Sequence, residues 1–89
     1  MVGIDLGNWR QRIDEIDLEL TKLLNERMSC ALQIGAIKRM AGRPIRDPER
    51  EQALIKKLKE FNHGPMRDET IEEIFRRIIA EAVHLEEED

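Results

Sequence analysis

Arg27 and Lys38 stand in line with the apolar residues of a long helical pattern. That pattern reads Ile13, Ile16, Leu20, Leu24, Arg27, Ala31, Ile34, Lys38, in steps of three and four residues. The two cations are separated by about three helical turns and so point the same way. Taking a charge out of water costs several kcal/mol unless an opposite charge waits inside. The chemistry that suits such a pair is capture of a small anion in a cleft lined by helices.

Further polar residues fall where they could join that cleft. Asp47, Arg50 and Glu51 share the first turn of a second helix, and Arg50 and Glu51 each precede an apolar position, Leu54 and Ile55, by four residues. A helix cap with a local ion pair explains them. A first turn offering a guanidinium, a carboxylate and free backbone N–H groups also suits a polar ligand. Arg10 faces about 100° away from Arg27 and lies roughly 25 Å along the helix axis, so one small ligand cannot touch both on a straight helix. In an antiparallel two-fold pairing, Arg10 of one chain can approach Arg27 of the other. On geometry alone, a surface role and a site role for Arg10 are equally open. Glu86 continues the apolar face of Ile79 and Val83, but it opens the run Glu86-Glu-Glu-Asp89, and the residues alone read it as part of a solvated tail.

Three helices must position these groups. The first is expected from about Leu6 to Met40, ended by Gly42 and Pro44. The second opens at Asp47-Pro48-Glu49, with an N-capping Asp, Pro at the first helical position and acids in the first turn. Its apolar face is Leu54, Ile55, Leu58 and Phe61, and Asn62-His63-Gly64-Pro65 breaks it. The third starts near Asp68 or Glu69 and carries Ile71, Ile74, Phe75, Ile78, Ile79, Ala82, Val83 and Leu85. Gly35 interrupts the first helix at about 1 kcal/mol relative to Ala, and close helix packing accounts for it better than room for a ligand.

The first helix is too long for its owner. About 35 residues span roughly 52 Å, whereas a compact chain of this length has a radius of gyration of about 12 Å. An apolar stripe left projecting into water would aggregate. Packing against a second copy answers this, as a two-fold homodimer.

Composition agrees with a single all-α domain covering residues 1–89. Leu, Ile, Ala, Glu, Lys and Arg dominate and Tyr is absent. The lone Cys30 cannot form an internal disulfide, and Cys30 and Met28 read as packing residues. His63 and His84 have no Cys or His at ligand spacing, so no metal is expected. No apolar run approaches a membrane span, and Met1-Val-Gly-Ile-Asp-Leu-Gly-Asn8 lacks the basic start and apolar core of a secretory leader, which leaves the cytoplasm as the expected location. Net charge is −4, but Lys38 to Lys59 holds eight Lys/Arg against three Asp/Glu, and Asp68 to Asp89 holds two Arg against nine acids. A local basic stretch in an acidic protein argues against nucleic acid and fits a focused site for a small anion. Solvated helix faces account for Lys56, Lys57, Arg76 and Arg77.

The runs Arg10-Gln-Arg-Ile-Asp-Glu-Ile-Asp17, Leu23-Leu-Asn-Glu-Arg27, Ile34-Gly-Ala-Ile-Lys38 and Arg43-Pro-Ile-Arg-Asp47-Pro-Glu-Arg-Glu51 resemble the all-helical chorismate mutases. So do Thr70-Ile71, Ile74-Phe75, Ile78 and Leu85-Glu86, and the resemblance covers nearly the whole chain. It looks like the small bacterial form, free-standing or joined as a regulatory domain to DAHP synthase, the enzyme that opens the shikimate pathway.

The resemblance implies an intertwined homodimer of three-helix chains with two shared sites and no cofactor. Each site would convert chorismate to prephenate by a Claisen rearrangement, the branch step toward phenylalanine and tyrosine. Arg27, with Arg10 from the other chain, would grip the two carboxylates. Lys38 and Glu86 would flank the ether oxygen whose bond breaks, and Glu51 and Asp47 would face the ring hydroxyl with Arg50 close by. Two departures stand out. Well-known members carry Gln where this chain has Glu86, so a protonated Glu86 would donate to the ether oxygen and an ionised one would repel it. Activity is therefore expected to fall as pH rises through the titration of Glu86. Ala82 stands where some members carry a substrate-touching Ser. Isochorismate pyruvate lyase shares the fold but lacks acids equivalent to Asp47 and Glu51, which favours the mutase.

Overall fold

The computed structural model describes residues 5–87. Residues 1–4 of the leader reading, and Glu88 and Asp89 of the tail reading, lie outside the described residues. Three α-helices and no strand are present among the described residues: α1 (Leu6–Ala41), α2 (Pro48–Phe61) and α3 (Asp68–Glu87).

Each helix boundary has a local cause. The Asp5 carboxylate caps α1 by accepting from the Asn8 N–H at 3.1 Å. At the other end Gly42 takes the left-handed conformation, φ 67°, which a residue with a Cβ adopts only at a cost. The Gly42 N–H donates to the Arg39 carbonyl and the Arg43 N–H to the Lys38 carbonyl at 2.8 Å, the paired bonds of a Schellman turn. Asp47 caps α2 through the Arg50 N–H at 3.1 Å, with Pro48 at the first helical position. Asn62 closes α2 and opens the next turn. Its amide Nδ2 donates to the Met66 carbonyl and to Asp68 Oδ1, both at 2.8 Å, tying the end of α2 to the start of α3.

α3 packs against both other helices. Its apolar face presents Ile71, Phe75, Ile79, Ala82 and Val83, the expected face of the third helix. It extends beyond Leu85, however, and the reading of Glu86 as tail is overturned. Glu86 lies on the last turn of α3 and is only 7% exposed. The reason is the register: it follows Ile79 and Val83 on the face that meets α1.

The core of one chain is small. Ala31, Ile55, Ile79 and Ala82 are its buried apolar residues, and no large side chain is fully buried among those described. The molecule measures 59 × 25 × 15 Å with a radius of gyration of 16.8 Å, well above the compact expectation of about 12 Å. The length of α1 sets the long dimension. Its C-terminal half lies against α3, whereas Leu6, Trp9, Ile13, Ile16 and Leu20 in its N-terminal half are exposed. Lys59 and Glu72 link α2 to α3 through an ion pair. Their hydrogen bond holds the Glu72 carboxyl below, and the Lys59 ammonium above, its ordinary range. This link is complete between the two titrations and is lost on the acid side as pH falls through that of Glu72. No helix among the described residues is long and apolar enough to cross a membrane.

Candidate active site

Six of the seven candidate side chains line one cleft of about 340 Å³, between the C-terminal half of α1, the start of α2 and the end of α3. They are Arg27 and Lys38 from α1, Asp47, Arg50 and Glu51 at the head of α2, and Glu86 from α3. Ile34, Leu54, Ile79, Ala82 and Val83 supply apolar wall between them. That volume lies within the range of small-molecule sites. Arg10 is the exception. It is exposed on the N-terminal half of α1 and does not line the cleft.

The position of Lys38 follows from the turn after α1. The Schellman turn reverses the chain, and the Ile45 carbonyl comes back to accept from Lys38 Nζ at 2.8 Å. On its other side Lys38 Nζ lies 3.9 Å from Glu86 Oε1, with the two side chains only 20% and 9% exposed. Such a pair, shielded from water, has a stronger field than a surface pair at the same separation. Glu86 is brought there by Gly35, one turn before Lys38 on α1. A Cβ at Gly35 would lie 2.9 Å from Glu86 Cα. The close-packing reading of Gly35 is therefore the structural one, and it also serves the cleft.

Glu51 is held as firmly. Arg46 grips it in two-pronged fashion, with Nε to Oε2 and Nη2 to Oε1 both at 3.0 Å. Arg76 Nη1 stands 3.9 Å from the same carboxylate and also contacts Glu72, so Arg76 belongs to a network and not to a plain solvated face. Asp47 lines the cleft while its Oδ1 caps α2. Both readings of Asp47 thus hold together at the level of position.

Among the described residues no side chain pairs with the guanidinium groups of Arg27 and Arg50. The carboxylates of the cleft are partnered: Glu51 by Arg46, Glu86 by Lys38, Asp47 by backbone. The arrangement therefore offers unpaired guanidinium groups and fixed carboxylate acceptors in one cleft. It can bind an anion that also carries a hydroxyl. No group of three or more His, Cys, Asp or Glu among the described residues is placed to hold a metal ion.

Sequence reasoning missed Arg46, Arg39 and the Ile45 carbonyl. Arg46 precedes the helix cap and belongs to no apolar period, so no face could be assigned to it. Arg39 Nη1 donates to the Glu86 carbonyl across 47 residues of chain, a contact that only the approach of α3 creates.

Known proteins of similar sequence and fold point to one family. A family model, chorismate mutase type II, matches residues 9–87. The chain is 41% identical over 86 residues to the bifunctional chorismate mutase/prephenate dehydratase of Aquifex aeolicus, covering 92% of this chain and 24% of that protein. It is 38% identical over 77 residues to the enzyme of the same description from Neisseria gonorrhoeae, covering 86% of this chain and 21% of that one. The chain thus spans only about a quarter or less of those bifunctional relatives. Against the chorismate mutase of Methanocaldococcus jannaschii it is 39% identical over 66 residues, covering 74% of this chain and 67% of that one. The solved chorismate mutase (form II) of Thermus thermophilus superposes with a TM-score of 0.92 at 33% identity, covering 94% and 96% of the two chains. The Helicobacter pylori chorismate mutase, solved in complex with prephenate, gives 0.84 at 32% identity, covering 92% and 89%. A matched region that takes in α2, α3, all but the first three residues of α1 and every candidate site residue places this chain in the chorismate mutase type II family.

Proposed function

We propose that the chain, as one helical domain per subunit, forms a cytoplasmic homodimer that rearranges chorismate to prephenate in two sites shared between subunits. The observation that carries this reading is the convergence of Arg27, Lys38 and Arg50 on one cleft, with the buried Glu86 beside Lys38. Chorismate is a dianion with a ring hydroxyl and an ether bridge, and each feature has a counterpart. Arg27 takes one carboxylate, and Arg10 of the partner subunit takes the other. Lys38 and Glu86 face the ether oxygen, and Asp47 and Glu51 face the hydroxyl with Arg50 alongside.

The rearrangement breaks a C–O bond and forms a C–C bond within one molecule, so it needs no nucleophile, metal or cofactor. The residues act in two ways. The guanidinium clamps hold the enolpyruvyl arm folded over the ring, which removes conformational freedom before the chemical step. The Lys38 ammonium, already oriented by the Ile45 carbonyl, stabilises the negative charge that grows on the ether oxygen.

The exposed apolar residues of α1 support the dimer, because pairing two such helices covers them and carries Arg10 toward the second cleft. Mixing subunits tests the whole reading. Chains with Arg10→Ala and chains with Lys38→Ala are each expected to be nearly inactive. Unfolded together and refolded in equal amounts, half of the dimers are mixed, and each mixed dimer has one intact site. Activity should return to about a quarter of the unsubstituted level. No recovery would sink the shared site. Pyruvate release from isochorismate without prephenate formation would assign the lyase reaction, and turnover only on addition of DAHP synthase would assign a regulatory role.

A further inference from the structure

We propose that Arg39 is a positioning residue for Glu86, clamping the end of α3 so that the Glu86 carboxyl stays beside Lys38. This inference rests on the mutase reading above and adds a residue to it.

The last carbonyls of a helix have no partner within it and carry the negative end of its dipole. At the end of α3 the Glu86 carbonyl accepts from Arg39 Nη1, a donor from a different helix. Gly35 and Arg39 are four residues apart and share one face of α1. Gly35 lets the Glu86 backbone approach closely, and Arg39, one turn further on, reaches over and holds it. Lys38 projects about 100° around the helix from Arg39 and meets the Glu86 side chain instead. Three neighbouring residues of α1 thus determine where one residue of α3 sits. Removing the clamp leaves Gly35 and Lys38 in place but frees this turn of α3 to fray or rotate, since Glu86 lies in the last described turn of that helix.

Arg39 does not line the cleft, so it acts through Glu86 and not on substrate. The test is a double-mutant cycle of Arg39→Met and Glu86→Ala in the full-length dimer. Arg39→Met is expected to lower kcat for chorismate about tenfold with KM little changed, and Arg39→Lys to restore most of the loss. In the Glu86→Ala background, Arg39→Met should cost nothing further. The same fold-loss in both backgrounds, or a loss confined to KM, overturns the proposal. Amide hydrogen exchange supplies a readout independent of turnover. Arg39→Met should accelerate exchange at Leu85, Glu86 and Glu87 while leaving α2 unchanged. Unchanged exchange at those amides overturns the clamp. If the unsubstituted dimer fails to convert chorismate, the functional reading falls, and the exchange data still decide whether Arg39 holds α3.

Discussion

A methyl group placed on Gly35 would lie 2.9 Å from Glu86 Cα, 3.0 Å from its carbonyl oxygen and 3.1 Å from its Cβ. Two of those atoms are backbone, so no rotamer change relieves the overlap. Ordinary contact begins near 3.4 Å, and the last turn of α3 must therefore withdraw by about half an ångström. Two effects on stability compete. An isolated helix gains about 1 kcal/mol when a mid-helix Gly becomes Ala. Overfilling a close contact costs about 1–3 kcal/mol. Gly35→Ala is therefore expected to change stability by anything from nothing to a loss of about 2 kcal/mol, and not to gain 1. The effect on catalysis is expected to be larger. Lys38 and Glu86 are already 3.9 Å apart, and withdrawal of α3 widens that gap. If an ångström of misplacement costs about a hundredfold, half an ångström costs about tenfold in kcat. The measurements are chorismate disappearance for kcat and KM, and urea unfolding at a fixed chain concentration. A variant about 1 kcal/mol more stable with unchanged kcat would refute the argument, for then the approach of α3 to α1 constrains nothing.

Lys38→Ala should lower kcat by about 10²–10³-fold with retained helicity by circular dichroism, because it removes the donor aimed at the ether oxygen. Arg46→Ala frees the Glu51 carboxylate from its two-pronged hold, and KM for chorismate should rise about three- to tenfold, with Arg46→Lys recovering only part because an ammonium cannot bind both oxygens in parallel. Glu72→Gln removes the link to Lys59 and should lower the melting temperature slightly at neutral pH, a difference that disappears once the medium is acid enough to protonate Glu72.

The helices were readable because each carries its own local signals. Gly42, the Asp47-Pro48 cap and the three-four spacing act within a few residues, and tertiary contacts did not override them. Arg27 and Lys38 were readable for a different reason: a cation in an apolar stripe breaks the pattern. Glu86 was hidden, since from the residues alone it is one acid among four in a row. Only the register of α3 against Gly35 distinguishes it from Glu87. Arg46, Arg39 and Arg76 were hidden too, because their partners lie on another element or in a turn, and charged residues on an exposed face carry no period. The resemblance brought in Glu86, which the residues alone misread, whereas Arg10, left open by the residues, lies outside the cleft of one chain.

Lysine is ordinarily a swivelling charge on a flexible stem. Here one of the three N–H bonds of Lys38 is spent on the Ile45 carbonyl, while Glu86 stands 3.9 Å away as a counter-charge. The ammonium is thereby tethered at one corner, so a round charge has gained an axis. Its aim is set by the path from Gly42 to Ile45, and a residue inserted into or deleted from that bend would re-aim the ammonium without touching a single cleft side chain.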